Sequence, residues 1–170
     1  MSPARKIVFG RLLPALVCIV SASISLPSNA EIFSIIESKP ISELWLNPGA
    51  YSYHFQKDKG FDNNNIGLGG EYRYSTTGSV MLGVFHNSDR DTSHYIVWHW
   101  QPLEFGPVHI GAVAGIIDGY PQMLDGGWFP AVIPMLNVEY QYIGANLLLV
   151  PSYQNRLHGA ISLQLKLRVF

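Results

Sequence analysis

Few side chains in this sequence are equipped to move a proton. His54 stands two residues after Ser52 in LNPGAYSYH, a spacing that puts imidazole and hydroxyl on one face of an extended strand. Farther along, VFHNS closes on Asn87-Ser88, and Asp89 follows at once. An imidazole takes a proton from a hydroxyl, while a serine or asparagine side chain donates hydrogen bonds to a developing oxyanion. His54 is therefore the candidate base, Ser88 and Asn87 are candidate donors, and Asp89 is a spare carboxylate, since Asn87 cannot act as a base. Taken alone, a histidine in a strand is more often structural. His94 with His99, and Asp118 with Asp125, lack the spacing of a metal site, and GLGGE lacks the strand-to-helix setting of a phosphate loop. No cofactor is expected.

The ends of the chain say where such a site would work. Residues 1–30 carry Arg5, Lys6 and Arg11, an apolar run from Leu12 to Leu26, and Ser28-Asn29-Ala30, the pattern of an export signal cleaved near Ala30. The one cysteine, Cys18, lies inside it and follows Val17 rather than the small residue of a lipoprotein site, so a mature chain would hold no disulfide. Without the signal, eight basic residues face twelve acidic ones, a balance that argues against nucleic-acid binding. The composition is apolar with only 14% charged residues, yet after residue 30 no apolar run approaches the roughly 18 residues of a spanning helix.

Strands resolve that tension. Eight segments of strand length are expected near 49–55, 66–75, 79–87, 94–101, 107–117, 131–142, 144–152 and 158–169. The connectors alternate: STTGS, QPLEFGP and a turn centred on Tyr142-Ile143 are short, whereas QKDKGFDNNN, SDRDTS, DGYPQMLDGGWF and YQNRLH are longer and polar or glycine-rich. Short turns at one end and long loops at the other suit a transmembrane β-barrel. Within strands the faces separate, as where Val132, Pro134, Leu136, Val138, Tyr140 and Tyr142 oppose Asn137, Glu139 and Gln141. A soluble sandwich would turn the apolar face inward. The export signal and the tyrosines and tryptophans at strand ends (Tyr51, Tyr53, Trp98, Trp100, Tyr140, Tyr142) favour an apolar face turned to lipid. The expected fold is all-β, an eight-stranded antiparallel barrel over 49–170. Before it, residues 31–48 suggest a short amphipathic helix interrupted near Pro40, with an ordinary N-terminal segment as the alternative.

The opposite faces then line the lumen. With a periplasmic N-terminus, the outer half presents Gly67, Gly69, Gly83, Phe85, Val97, Val113, Ile133, Met135, Leu148 and Val150. The periplasmic half presents Glu71, Arg73, His99, Gln101, His109, Glu139, Gln141, Asn146, Lys166 and Arg168. Eight strands enclose just enough room for side chains or one slim ligand. The lower charges are expected to pair, and the glycines above to leave a slot for a hydrocarbon chain.

LNPGAYSYH, VFHNS, IPMLNVEY and LVPSYQN, set on eight strands with an apolar slot, together resemble the PagP family of outer-membrane lipid A palmitoyltransferases over about residues 32–170. The resemblance implies a Gram-negative outer-membrane acyltransferase that moves a palmitoyl-like chain from a phospholipid donor to lipid A or a related acceptor. It carries the family's essential histidine onto His54 and its Asp-Ser pair onto Asn87 and Ser88, with asparagine in place of the aspartate. Substrate contacts are expected from Pro134, Pro151, Gly67, Gly69, Gly83, Phe85 and Met135. About a turn at Tyr142-Ile143 the two prolines would face each other and break the ladder, either trimming the strands near the outer rim or, as the resemblance implies, giving a lateral opening to the slot. A non-enzymatic lipid-binding or structural barrel is the alternative reading, and a small-solute channel a third. His86-Asn87-Ser88 also resembles the H-x-S run of outer-membrane lipid A deacylases, but it comes early in the chain and His86 points outward.

Overall fold

The computed structural model describes residues 33–154 and 156–170. The expected export signal, its cleavage point near Ala30, and Cys18 lie outside the described residues.

The described chain is a closed antiparallel barrel. Its strands are β2 (Pro40–His54), β3 (Asn64–Ser75), β4 (Gly78–His86), β5 (Thr92–Phe105), β6 (Val108–Ile117), β7 (Phe129–Tyr140), β8 (Ile143–Val150) and β9 (Ala160–Arg168). Each pairs with its sequence neighbour, and β2 pairs with β9 to close the ring. A two-residue strand β1 (Ser34–Ile35) lies against Glu104 and Leu103, on the part of β5 that runs beyond its pairing with β4. Of the segment expected to form an amphipathic helix, residues 31 and 32 fall outside the described part; residues 33–48 are not helical. There β2 begins at Pro40, nine residues earlier than expected, because Leu44 and Leu46 point out while Trp45 and Asn47 point in, a period of two.

Closure needs every strand to alternate, and the outward set is apolar: Leu68, Leu82, Ile96, Val132, Leu149, Leu163 and Leu165 are all exposed. Aromatic residues collect toward the strand ends. At the short-turn end Trp98 stacks on Trp100 at 6.2 Å and donates from Nε1 to Tyr74 Oη at 2.6 Å. Tyr51, Tyr53, Phe55 and Trp128 mark the long-loop end.

Inside, the lumen is layered. Lys166 Nζ reaches Glu71 Oε2 at 2.9 Å and Glu139 Oε1 at 2.8 Å, Arg73 pairs with Glu139 and Glu43, and Arg168 Nη1 meets Glu43 Oε1 at 2.7 Å. Three cations thus face three carboxylates. The pairing of Arg73, Lys166 and Arg168 with Glu71 and Glu139 follows the expectation, with Glu43 as an added partner. Trp45 roofs the cations, its ring 4.7 Å from Lys166 Nζ. Above this floor runs a belt of amides: Asn137 donates to Asn146 at 2.7 Å, Asn146 to Gln164 at 2.9 Å, and Gln164 to Asn47 at 3.3 Å. Over the belt the lumen turns apolar.

Removing one member of a buried, paired network leaves its partners charged and desolvated, at a cost of about 3–5 kcal/mol. Lys166→Met is therefore expected to lower the urea midpoint of the folded barrel sharply. Adding Glu71→Gln to it should recover part of the loss, read from the heat-modifiable mobility of the barrel on gels.

Candidate functional site

The placement of His54 begins at Pro48 and Gly49. There β2 slips by one residue in its register with β3, between Asn47 and Gly49, and with β9, between Leu46 and Ala50. Inward positions change from odd (Trp45, Asn47) to even (Ser52, His54). Gly49 permits the slip: its φ is +105°, and a Cβ there would collide with the carbonyl oxygen of Asn65. Without the irregularity the alternation would turn Tyr51 and Tyr53 into the lumen and His54 out of it.

At the top of β2, His54 is buried beneath the long loops, and its Nδ1 lies 3.0 Å from Asn63 Oδ1. Phe61 packs between two imidazoles, with ring centroids 4.8 Å from both His54 and His158. These groups border a pocket of about 40 Å3 that also holds Ser52, Ser88, Asp89, Tyr120, Arg156 and Leu157. The chain thus brings His54, Ser88 and the spare carboxylate Asp89 to one small space, together with His158 and Tyr120, which the sequence reading passed over. Tyr120 sits in the loop after β6, where burial, and then the Asp89 charge, hold its phenol above the usual range; it remains a protonated donor.

Asn87 does something different. Its Nδ2 donates to Ser93 Oγ at 2.9 Å and to the Gly119 carbonyl at 2.6 Å, and its Oδ1 accepts from the backbone N–H groups of Asp89 and Asp91, each at 3.0 Å. The carbonyl is spent on ordering the 87–91 loop and the amide hydrogens on tying it to β5 and to the loop after β6, and Asn87 is not in the wall of the His54 pocket. An aspartate could not donate to Gly119, which gives asparagine a physical reason to stand here.

Below the pocket, and sharing Ser52, Tyr120, Val150, Leu157 and Ser162 with it, is an apolar cavity of about 150 Å3. Its walls include Phe85, Val97, Val113, Ile133, Leu148 and Val150, the inward residues expected for the slot, and its floor reaches Met81, Asn47 and Gln164 of the amide belt. The glycines serve another purpose. A Cβ at Gly69 or at Gly83 would strike the phenol oxygen of Tyr95, so their missing side chains house Tyr95 rather than a ligand. At Gly67 a Cβ would meet the Val84 carbonyl, a requirement of strand approach. Met135 is buried but is not part of the cavity wall.

The late hairpin departs from expectation by two residues. Tyr140 pairs with Ile143 around a two-residue turn, with Gln141 at φ +53°, rather than turning about Tyr142-Ile143. The β7–β8 ladder then ends at Met135 and Leu148. Continued, this register sets Pro134 against Leu149 and Val132 against Pro151, so the prolines are staggered rather than opposed. The break itself is present: beyond Met135, β7 stays paired only to β6, and beyond Leu148, β8 only to β9. In the seam lies a groove of about 390 Å3 whose lining includes Phe129, Val132, Ile133, Pro151, Arg156 and Leu157. Leu157 borders all three spaces.

No family model matches the chain, and no curated protein matches it significantly.

Replacing Asn87 by aspartate keeps both backbone N–H partners but leaves a carboxylate facing the Gly119 carbonyl, a loss of about 1–3 kcal/mol. Limited proteolysis of Asn87→Asp should nick the 87–91 loop sooner than in the wild type. An unchanged or slower rate would contradict this assignment.

Proposed function

We propose that the chain is an outer-membrane acyltransferase that moves a fatty acyl chain from a phospholipid to lipid A or a related lipid acceptor. The resemblance to the PagP family implies this activity, and the apolar exterior with aromatic ends suits a bilayer. The observation that carries the reading is adjacency: the seam groove, the apolar cavity and the histidine pocket all border Leu157, which sets a lateral apolar surface beside a base. An acyl chain would enter between β7 and β8 and lie in the cavity, with its ester at the mouth below His54.

The chemistry follows from the residues at that mouth. The acceptor hydroxyl gives its proton to the His54 imidazole as its oxygen bonds to the ester carbonyl carbon. The resulting oxyanion accepts hydrogen bonds from donors such as the Ser88 and Tyr120 hydroxyls. Collapse breaks the bond to the glycerol oxygen, which takes the proton back from His54 and departs as the lysophospholipid. No cofactor is required by these steps. A lipid-binding barrel without turnover is the second reading. What favours it is that the Asn87 amide is fully used in structural hydrogen bonds, so no aspartate-serine pair stands beside His54.

Expressed in a Gram-negative host that lacks such an enzyme, the wild type is expected to add one acyl chain to lipid A or another lipid, seen by mass spectrometry, and His54→Ala to add none. No acylated product from the wild type would leave the lipid-binding barrel in its place. A second expectation concerns the seam. Val132→Cys combined with Pro151→Cys should cross-link the two strands under oxidation, suppress transfer, and release it again on reduction; transfer unaffected by the cross-link would rule out entry at this point.

A further inference from the structure

His54 is held by one short segment that binds it in two ways. Residues 61–63 end the loop between β2 and β3, and they are tied on both sides: the Asn63 carbonyl accepts from Ser52 N at 2.8 Å, and Asp62 N donates to the Ser88 carbonyl at 3.0 Å. From this anchored stretch Phe61 packs against the His54 ring, and Asn63 Oδ1 meets Nδ1 at 3.0 Å. With the amide turned so that its oxygen faces the ring, the nitrogen it meets carries the hydrogen, because an amide oxygen only accepts. The other nitrogen, Nε2, then holds the lone pair. Free imidazole side chains favour the opposite tautomer, with hydrogen on Nε2, which is useless as a base there.

We propose that Asn63 is a positioning residue that fixes His54 as the Nδ1–H tautomer and so delivers Nε2 to the pocket as the base. The inference rests on the reading of His54 as the base in acyl transfer and deepens it. Asn63 itself is not in the pocket wall, so it acts through His54 rather than on substrate. Phe61 fixes the plane of the ring and Asn63 fixes which edge is protonated; both come from a segment that also ties β2 to the Ser88 loop. The charged and titratable groups sharing the pocket are Asp89, Tyr120, Arg156 and His158. The orienting group is an amide, which sets the tautomer without adding a further carboxylate.

The test reads the tautomer directly. Full-length mature barrel is labelled with 15N-histidine and folded in detergent micelles. The His54 ring signals, identified by their loss in His54→Ala, are expected to show Nδ1 protonated and Nε2 bare. Asn63→Leu should move His54 to the Nε2–H form and lower kcat by about 100-fold with KM little changed, in the range of a lost general base. Asn63→Asp, which keeps an accepting oxygen, should retain the wild-type tautomer and stay within about tenfold of its rate. An Nε2–H signal in the wild type, or a tautomer unmoved by Asn63→Leu, overturns the proposal. The wild-type tautomer in a protein that transfers no acyl chain overturns the acyltransferase reading and leaves the orientation by Asn63 standing.

Discussion

A strand in a closed barrel offers each residue one of two faces, and this constraint governs everything else in the molecule. Because the period is two, a slip of one residue exchanges the faces for the rest of the strand. The slip at Pro48 and Gly49 does this in β2: below it Trp45 and Asn47 fill the lumen, and above it Ser52 and His54 do. A glycine with φ of +105° makes the slip possible. One backbone irregularity thus lets a single strand give an aromatic cap to the charged floor and an imidazole to the pocket at the other end.

The floor limits what the lumen can hold. Glu71, Glu139 and Glu43 are matched by Lys166, Arg73 and Arg168, and the amide belt of Asn47, Gln164, Asn146 and Asn137 lies between these charges and the apolar region. Charges this deep are tolerable only when each has partners, and here the paired groups fill the lower lumen. In the proposed reading, an apolar chain in the slot would meet polar groups at Asn47 and Gln164, where burying hydrocarbon against amides gains little. The depth of the cavity is set by polarity as well as by shape. Tyr95 narrows it further, occupying the space that Gly69 and Gly83 vacate.

At the long-loop end, order comes from loops tied to one another. Asn87 gathers its own turn and reaches Gly119 in the loop after β6, and Asp62 binds the Ser88 carbonyl. Ser88 is thereby carried to the pocket that His54 enters from β2. The same end contains the weakest point of the wall, because β7 and β8 part above Met135 and Leu148. Two prolines without N–H groups make that parting cheaper than it would be for other residues, since neither loses a donor when the ladder ends.

The alternation of apolar and polar residues, read together with the export signal and the aromatic strand ends, gave from the chain alone eight strands in a barrel with an apolar exterior, a charged lower lumen and an apolar upper one. Each strand's pattern is local, so it is legible without knowing the neighbours. His54 beside Ser52 on an inward face was equally legible, and so was Ser88 at the same rim. What remained hidden depended on register. With the first strand started at 49, Glu43, Trp45 and Asn47 were missed, because the slip at Gly49 hides the continuity of β2 from a period-two reading. The turn at Gln141-Tyr142 displaced the expected pairing of the prolines by two residues, since turn geometry, not strand composition, sets which residues face each other. The use made of the glycines, the commitment of Asn87 to its loop, and the meeting of Asn63 with His54 were decided only by the tertiary structure. Each depends on a contact between segments whose relative position no local pattern encodes.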